Sequence, residues 1–164
     1  MTADQLVEDG RAPALVPMPA VTLAVTSGRS TGFRPAATQR RVDELLSDLV
    51  DELADQGVTT TGCASMSVVA VDDTGVGIEV GVVVDAPVIP TETIRVVERP
   101  GHDAVTLLVP GDQTDRDWTR LRVFLADLDV VALRRSYVSF QHPRRPRAGT
   151  RFTQLVQPIT ARHD

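Results

Sequence analysis

One pattern of secondary-structure signals occurs twice along this chain, and that repetition constrains the fold more than any single residue. In the first pass, an apolar run (Ala14-Leu15-Val16) and a proline turn lead into the strand-like Val21 to Thr26. A turn-rich segment, Ser27 to Arg34, follows. A helical stripe comes next, with Val42, Leu45, Leu46, Leu49, Val50 and Leu53 recurring every three or four residues from Pro35 to Gln56. Two strands then flank Asp72-Asp73-Thr74-Gly75, predicting a hairpin of Ala64–Val71 with Gly75–Asp85.

The second pass has the same order. Ile94–Glu98 and Ala104–Val109 are strands around Pro100-Gly101, and Thr114 with Asp117 forms an Asp variant of the helix capping box. Trp118, Leu121, Leu125 and Leu128 give the buried stripe of the second helix. Leu133–Phe140 and Thr150–Ile159 are strands joined by a loop at Gln141–Gly149. The prediction is an α+β fold of two β-β-α-β-β-like halves, about residues 14–85 and 93–160, related by a pseudo-twofold axis. The sheet is antiparallel with both helices on one face, leaving the other free to form a concavity. Residues 1–13 read as a flexible tail.

Within the strand Gly75 to Asp85, Ile78, Val80, Val82 and Val84 fall on one side, and Glu79, Gly81 and Val83 on the other. Glu79 is either a solvent-facing carboxylate or a functional acid beside the open backbone of Gly81. Gln154 stands in the corresponding place in the last strand.

Composition excludes several kinds of chemistry. The net charge is −5, which argues against a general affinity for nucleic acid. All 17 basic residues are arginine, so Schiff-base chemistry and the Gly-Lys-Ser/Thr phosphate loop are absent. Cys63 is the single cysteine, and the polar N-terminus has no secretory pattern, so the expected location is cytoplasmic, with no membrane association. His102, His142 and His163 lack metal-ligand spacing, and neither a metal nor a cofactor is expected. Gly75-Val76-Gly77 precedes a strand and is no dinucleotide loop. The basic segment Gln141 to Arg147 carries no interleaved aromatics and reads as a solvated hairpin tip, and no helix-turn-helix is seen ahead of the domain, so direct DNA reading is not expected.

The run Val96-Val97-Glu98-Arg99-Pro100-Gly101, Ala104-Val105-Thr106, the segment ending in Tyr137, and Thr153-Gln154-Leu155 with Pro158-Ile159 resemble the effector-binding domains of bacterial transcription activators. This is the gyrase-inhibitory-protein-like small-molecule-binding fold. Ile78-Glu79-Val80-Gly81 is similar to that family's acidic strand. The resemblance implies a pocket between the halves, lined by aromatics and closed by an acid that engages lipophilic cations. Glu79 matches the acid, Tyr137 the tyrosine, and Trp118 and Phe124 the bulky helix residues. Gln154 departs from the family's glutamate, and Pro110-Gly111-Asp112 departs from its usual segment before the second helix. From the residues alone, Trp118 fits core or pocket wall, as does Tyr137.

The expected function is therefore a stand-alone binder of a hydrophobic small molecule, cationic or polar-headed, in a sensing or sequestering role linked to transcription regulation. Glu79, Gly81, Trp118, Phe124, Tyr137 and Gln154 are its candidate ligand contacts. An alternative is a hydrolase with Glu79 as general base and Tyr137 polarising the substrate. A further alternative is a protein-interaction module of the topoisomerase-inhibitor kind, acting on a protein partner or as a homodimer.

Overall fold

The computed structural model describes residues 12–133, 135–141 and 152–161. Most of the N-terminal tail, the loop after Gln141, Thr150 and Arg151, and with them His142 and His163, lie outside the described residues. The chain forms two compact units, one built from Ala20–Pro100 and the other from the chain before and after it.

The Ala20–Pro100 unit contains β2 (Val21–Thr31), α1 (Pro35–Asp55), β3 (Thr60–Asp72), β4 (Gly75–Val84) and β5 (Arg95–Arg99). Its strands pair antiparallel in the order β5-β2-β4-β3. The helix follows directly from its apolar spacing: Val42, Leu45, Leu46, Leu49 and Leu53 are buried, and Pro35 occupies the first turn, where its missing N–H is no loss. Ile78, Val80, Val82 and Val84, the alternate residues of β4, are each at most 4% exposed.

The other unit contains β1 (Ala14–Met18), β6 (His102–Pro110), α2 (Asp115–Ala126), β7 (Val130–Ala132), β8 (Tyr137–Gln141) and β9 (Phe152–Ala161). Its pairing order is β1-β6-β9-β8, with β7 also on β9, again antiparallel throughout. The capping box is formed: Thr114 Oγ1 accepts from Asp117 N–H, and the Asp117 carboxylate accepts from Thr114 N–H. Leu121 packs with Val105, Leu107, Val109, Leu155 and Ile159 beneath α2. The α+β class and the antiparallel pairing thus agree with the sequence.

Three details differ from the sequence reading. The units are not the sequence halves: β1 pairs with β6, and β5 pairs with β2, so each edge strand joins the sheet of the other pass. Pro19 and Pro100 lie in the connections, and proline cannot donate the N–H a tight hairpin would use. Second, β2 runs on through Ser27–Thr31, which has turn-like composition, because its ladder to β4 continues to Thr31 opposite Gly75. Gly28 serves helix packing there, since a Cβ would lie 2.8 Å from Leu45 Cδ2. Third, of the stretch read as one strand from Leu133 to Phe140 only the part from Tyr137 onward is strand, in β8; β7 ends before that stretch at Ala132, and Arg135 has φ +68°, which no strand can hold.

The β3–β4 turn is tied to the end of β2. Asp72 accepts from the backbone N–H of Thr74 (2.9 Å) and from its hydroxyl (2.8 Å), and forms an ion pair with Arg29. The Thr74 backbone N–H first, then its hydroxyl and the Arg29 guanidinium, hold the Asp72 carboxyl below the ordinary aspartate range. A lowered folded-state pKa gives stability that is present above the unfolded value and lost as pH falls through the folded one. Asp72→Asn is therefore expected to lower the melting temperature at neutral pH, with the difference from wild type closing below about pH 4. Melting curves between pH 7 and pH 2.5 check this; a difference that stays constant over that range would rule the carboxylate out as its source.

Candidate functional site

Strand alternation sorts the candidate residues by face. In the Ala20–Pro100 unit, β4 turns Ile78, Val80 and Val82 toward α1 and Glu79, Gly81 and Val83 to the opposite face. Register brings Ser27 and Ser67 opposite Glu79, and Val25 and Ser65 opposite Gly81. The Glu79 side chain is 26% exposed, neither a free surface carboxylate nor a fully buried one.

Glu79 already has a cationic partner. Arg95 Nη2 donates to Glu79 Oε2 at 2.6 Å, and the arginine side chain is 60% exposed. Arg95 stands opposite Val25 on β5, so its side chain crosses β2 to reach the acid. Sequence reasoning missed this residue. The only available signal was an arginine in a strand, and the pairing that makes it matter joins three strands that are distant in sequence.

Gly81 differs from the expectation. The space a side chain would fill there is occupied, with Val25 Cγ1 2.9 Å and Ser65 Oγ 3.6 Å from the Cβ position. The glycine lets the neighbouring valine close over the strand and gives no ligand an approach to the backbone.

In the other unit, Tyr137 and Gln154 share the face of β8 and β9 turned away from α2. Tyr137 is opposite Val156, and Gln154 is opposite both Ser139 and Leu108. Tyr137 is 5% exposed and packs with Ala104, Val156 and Met18. Its hydroxyl lies 3.3 Å from His102 Nε2, and the two rings meet edge to face with centroids 6.1 Å apart. His102 looked isolated in the sequence; β6 starting there, opposite Met18 of β1, is what brings it to the tyrosine.

Trp118 and Phe124 are on the other side of that sheet, packed against the Leu121–Leu155 cluster under α2. Trp118 Nε1 donates to Gln113 Oε1 at 2.8 Å, which satisfies its one polar atom. These two aromatics therefore do not line the surface that carries Tyr137 and Gln154, because helix and tyrosine occupy opposite faces of one layer. An open groove of about 540 Å³ lies at the start of α2, with Arg116, Asp117 and Arg120 in its wall. Asp117 there is committed to the helix cap and stands 4.0 Å from Arg120. Among the described residues no three His, Cys, Asp or Glu are grouped so as to hold a metal ion, and no helix is long and apolar enough to cross a membrane.

The architecture is shared with solved structures of low sequence identity. The C-terminal domain of EcmrR superposes with a TM-score of 0.71 at 14% identity, covering 91% of this chain and 97% of that domain. EcmrR in its complex with DNA gives 0.73 at 13% identity, where the chain spans 57% of its length. A hydrolase from Listeria innocua gives 0.57 at 12% identity, covering 92% of each chain. SAV2435 bound to tetraphenylphosphonium gives 0.53 at 10% identity, covering 90% of this chain and 93% of that one. No sequence-family profile and no curated protein matches the chain. The fold is that of the gyrase-inhibitory-protein-like effector-binding domains.

Proposed function

We propose that this protein binds a hydrophobic small molecule, in a sensing or sequestering role, through the face of the Ala20–Pro100 sheet turned away from α1. The observation that carries this reading is Glu79: a partly buried carboxylate projecting from the apolar strand β4 on the face without a helix. A carboxylate among apolar groups gains from a polar or cationic partner, while apolar neighbours reward the body of a ligand. The fold supports the same reading, since it recurs in the C-terminal domain of EcmrR, a protein seen in complex with DNA, and in SAV2435, which holds tetraphenylphosphonium.

The test is ligand-dependent melting with tetraphenylphosphonium and an uncharged apolar dye as probes. A probe that binds only the folded state adds about 2.7 kcal/mol at a hundredfold excess over its Kd, enough to raise the melting temperature by several degrees. Glu79→Gln is expected to reduce the response to the cation while the protein still folds. If no probe raises the melting temperature, or if Glu79→Gln leaves every response unchanged, the assignment is wrong.

The likeness to the Listeria hydrolase supports a second reading, with Glu79 as general base. The Arg95 contact weighs against it, because one of the two carboxylate oxygens already accepts from a guanidinium. Turnover of an ester or epoxide that disappears in Glu79→Gln would favour the hydrolase; binding without turnover removes it.

A further inference from the structure

We infer that Arg95 determines ligand specificity by occupying the Glu79 carboxylate, so that the site selects apolar ligands with an acceptor or acidic head group over permanent lipophilic cations. The inference rests on the small-molecule reading above and goes beyond it. Three observations carry it. Arg95 Nη2 lies 2.6 Å from Glu79 Oε2, which makes the pair neutral as a unit. The exposure is unequal, 60% for the arginine side chain and 26% for the glutamate, so an arriving ligand meets guanidinium before carboxylate. Finally, Val25 fills the space over Gly81, leaving no backbone approach to the acid from that flank.

The chemistry follows from the groups present. A guanidinium carries five N–H donors in a planar fork, and the Glu79 contact engages Nη2, so the fork can serve a carboxylate, a sulfonate or a carbonyl while its ion pair persists. A permanent cation has no such option. To pair with the engaged oxygen it has to displace Arg95, and at either oxygen it brings a second positive charge beside the guanidinium.

Two hydrophobic ions of nearly equal size and opposite charge, tetraphenylphosphonium and tetraphenylborate, separate the alternatives by titration calorimetry or fluorescence. Wild type is expected to bind the borate at least as tightly as the phosphonium. Arg95→Gln is expected to raise affinity for the phosphonium about fivefold and lower it for the borate about as much, the scale of a solvent-exposed ion pair. Glu79→Gln, which releases the arginine, is expected to raise borate affinity by a similar factor and weaken the phosphonium. Both variants remove one partner of a partly exposed pair, and an unchanged far-UV spectrum confirms that they fold. If Arg95→Gln shifts the two ions together, or shifts neither, while Glu79→Gln still alters binding, Arg95 has no such role and the small-molecule reading stands. If neither ion binds wild type or either variant, that reading fails and the assignment falls with it.

Discussion

Gly75→Ala is expected to lower the unfolding free energy by about 3 kcal/mol, the sum of an unfavourable backbone conformation and a backbone clash. Gly75 opens β4 with φ +155°, a value that side-chain-bearing residues rarely adopt. A Cβ built there would lie 2.0 Å from the carbonyl oxygen of Ser30 and 3.1 Å from Gly32 N. Neither obstacle is a side chain that can swing away, because both are backbone atoms, one in β2 and one just past its end, and β2 pairs with β4 in register down to Thr31 opposite Gly75. The neighbouring turn offers little slack, since Gly32 N–H donates to Thr74 O and Arg29 holds both Asp72 and Thr74. Urea unfolding of the two proteins gives the difference directly. A loss below 1 kcal/mol would mean that β2 and β4 can part at this end without consequence. Gly111→Ala is the control: it shares a positive φ of +73° but meets nothing within 4 Å, so strain acts there without a clash.

Leu107→Ala is expected to destabilise by about 2–5 kcal/mol, the range for truncating a fully buried leucine and leaving a cavity. Leu107 is wholly buried at the centre of the cluster formed by Val105, Val109, Leu121, Leu155 and Ile159. Its register partner across the ladder is Leu155, equally inaccessible, so the void opens between two strands and beneath α2. The adjacent residue supplies an internal comparison. Leu108 points to the other face of β6 and is 43% exposed, and Leu108→Ala is expected to change stability by no more than about 0.5 kcal/mol. A larger loss from Leu108→Ala than from Leu107→Ala would show that the faces of β6 are assigned the wrong way round. Unfolding of both variants in the same denaturant series makes that comparison.

Much of the local structure was written in short-range patterns. The stripe from Val42 to Leu53 specified α1 because a helix brings residues three and four apart onto one side. Thr114 and Asp117 specified the start of α2, since a capping box needs only these residue types at this spacing. The alternation from Ile78 to Val84 likewise placed Glu79 on the face away from the apolar residues. Segments without such a pattern were misjudged. Ser27–Thr31 looks like a turn and is a strand because β4 pairs with it, and Leu133–Phe140 looks like one strand but becomes strand only from Tyr137, after Arg135 at φ +68°. Composition says what a segment prefers; pairing with a distant strand can override it.

The chain's own order of residues determined the α+β class, the two helices and their buried faces, the hairpin turn at Asp73 and Thr74, and the side of β4 on which Glu79 projects. Each of these depends on neighbours within a few positions. Only the tertiary structure decided that β1 and β5 exchange sheets, that Val25 closes over Gly81, that Trp118 and Tyr137 lie on opposite faces, and that Arg95 rests on Glu79. Those outcomes depend on strand register between segments far apart in the chain, and register is fixed by how whole faces bury together rather than by any local run of residues.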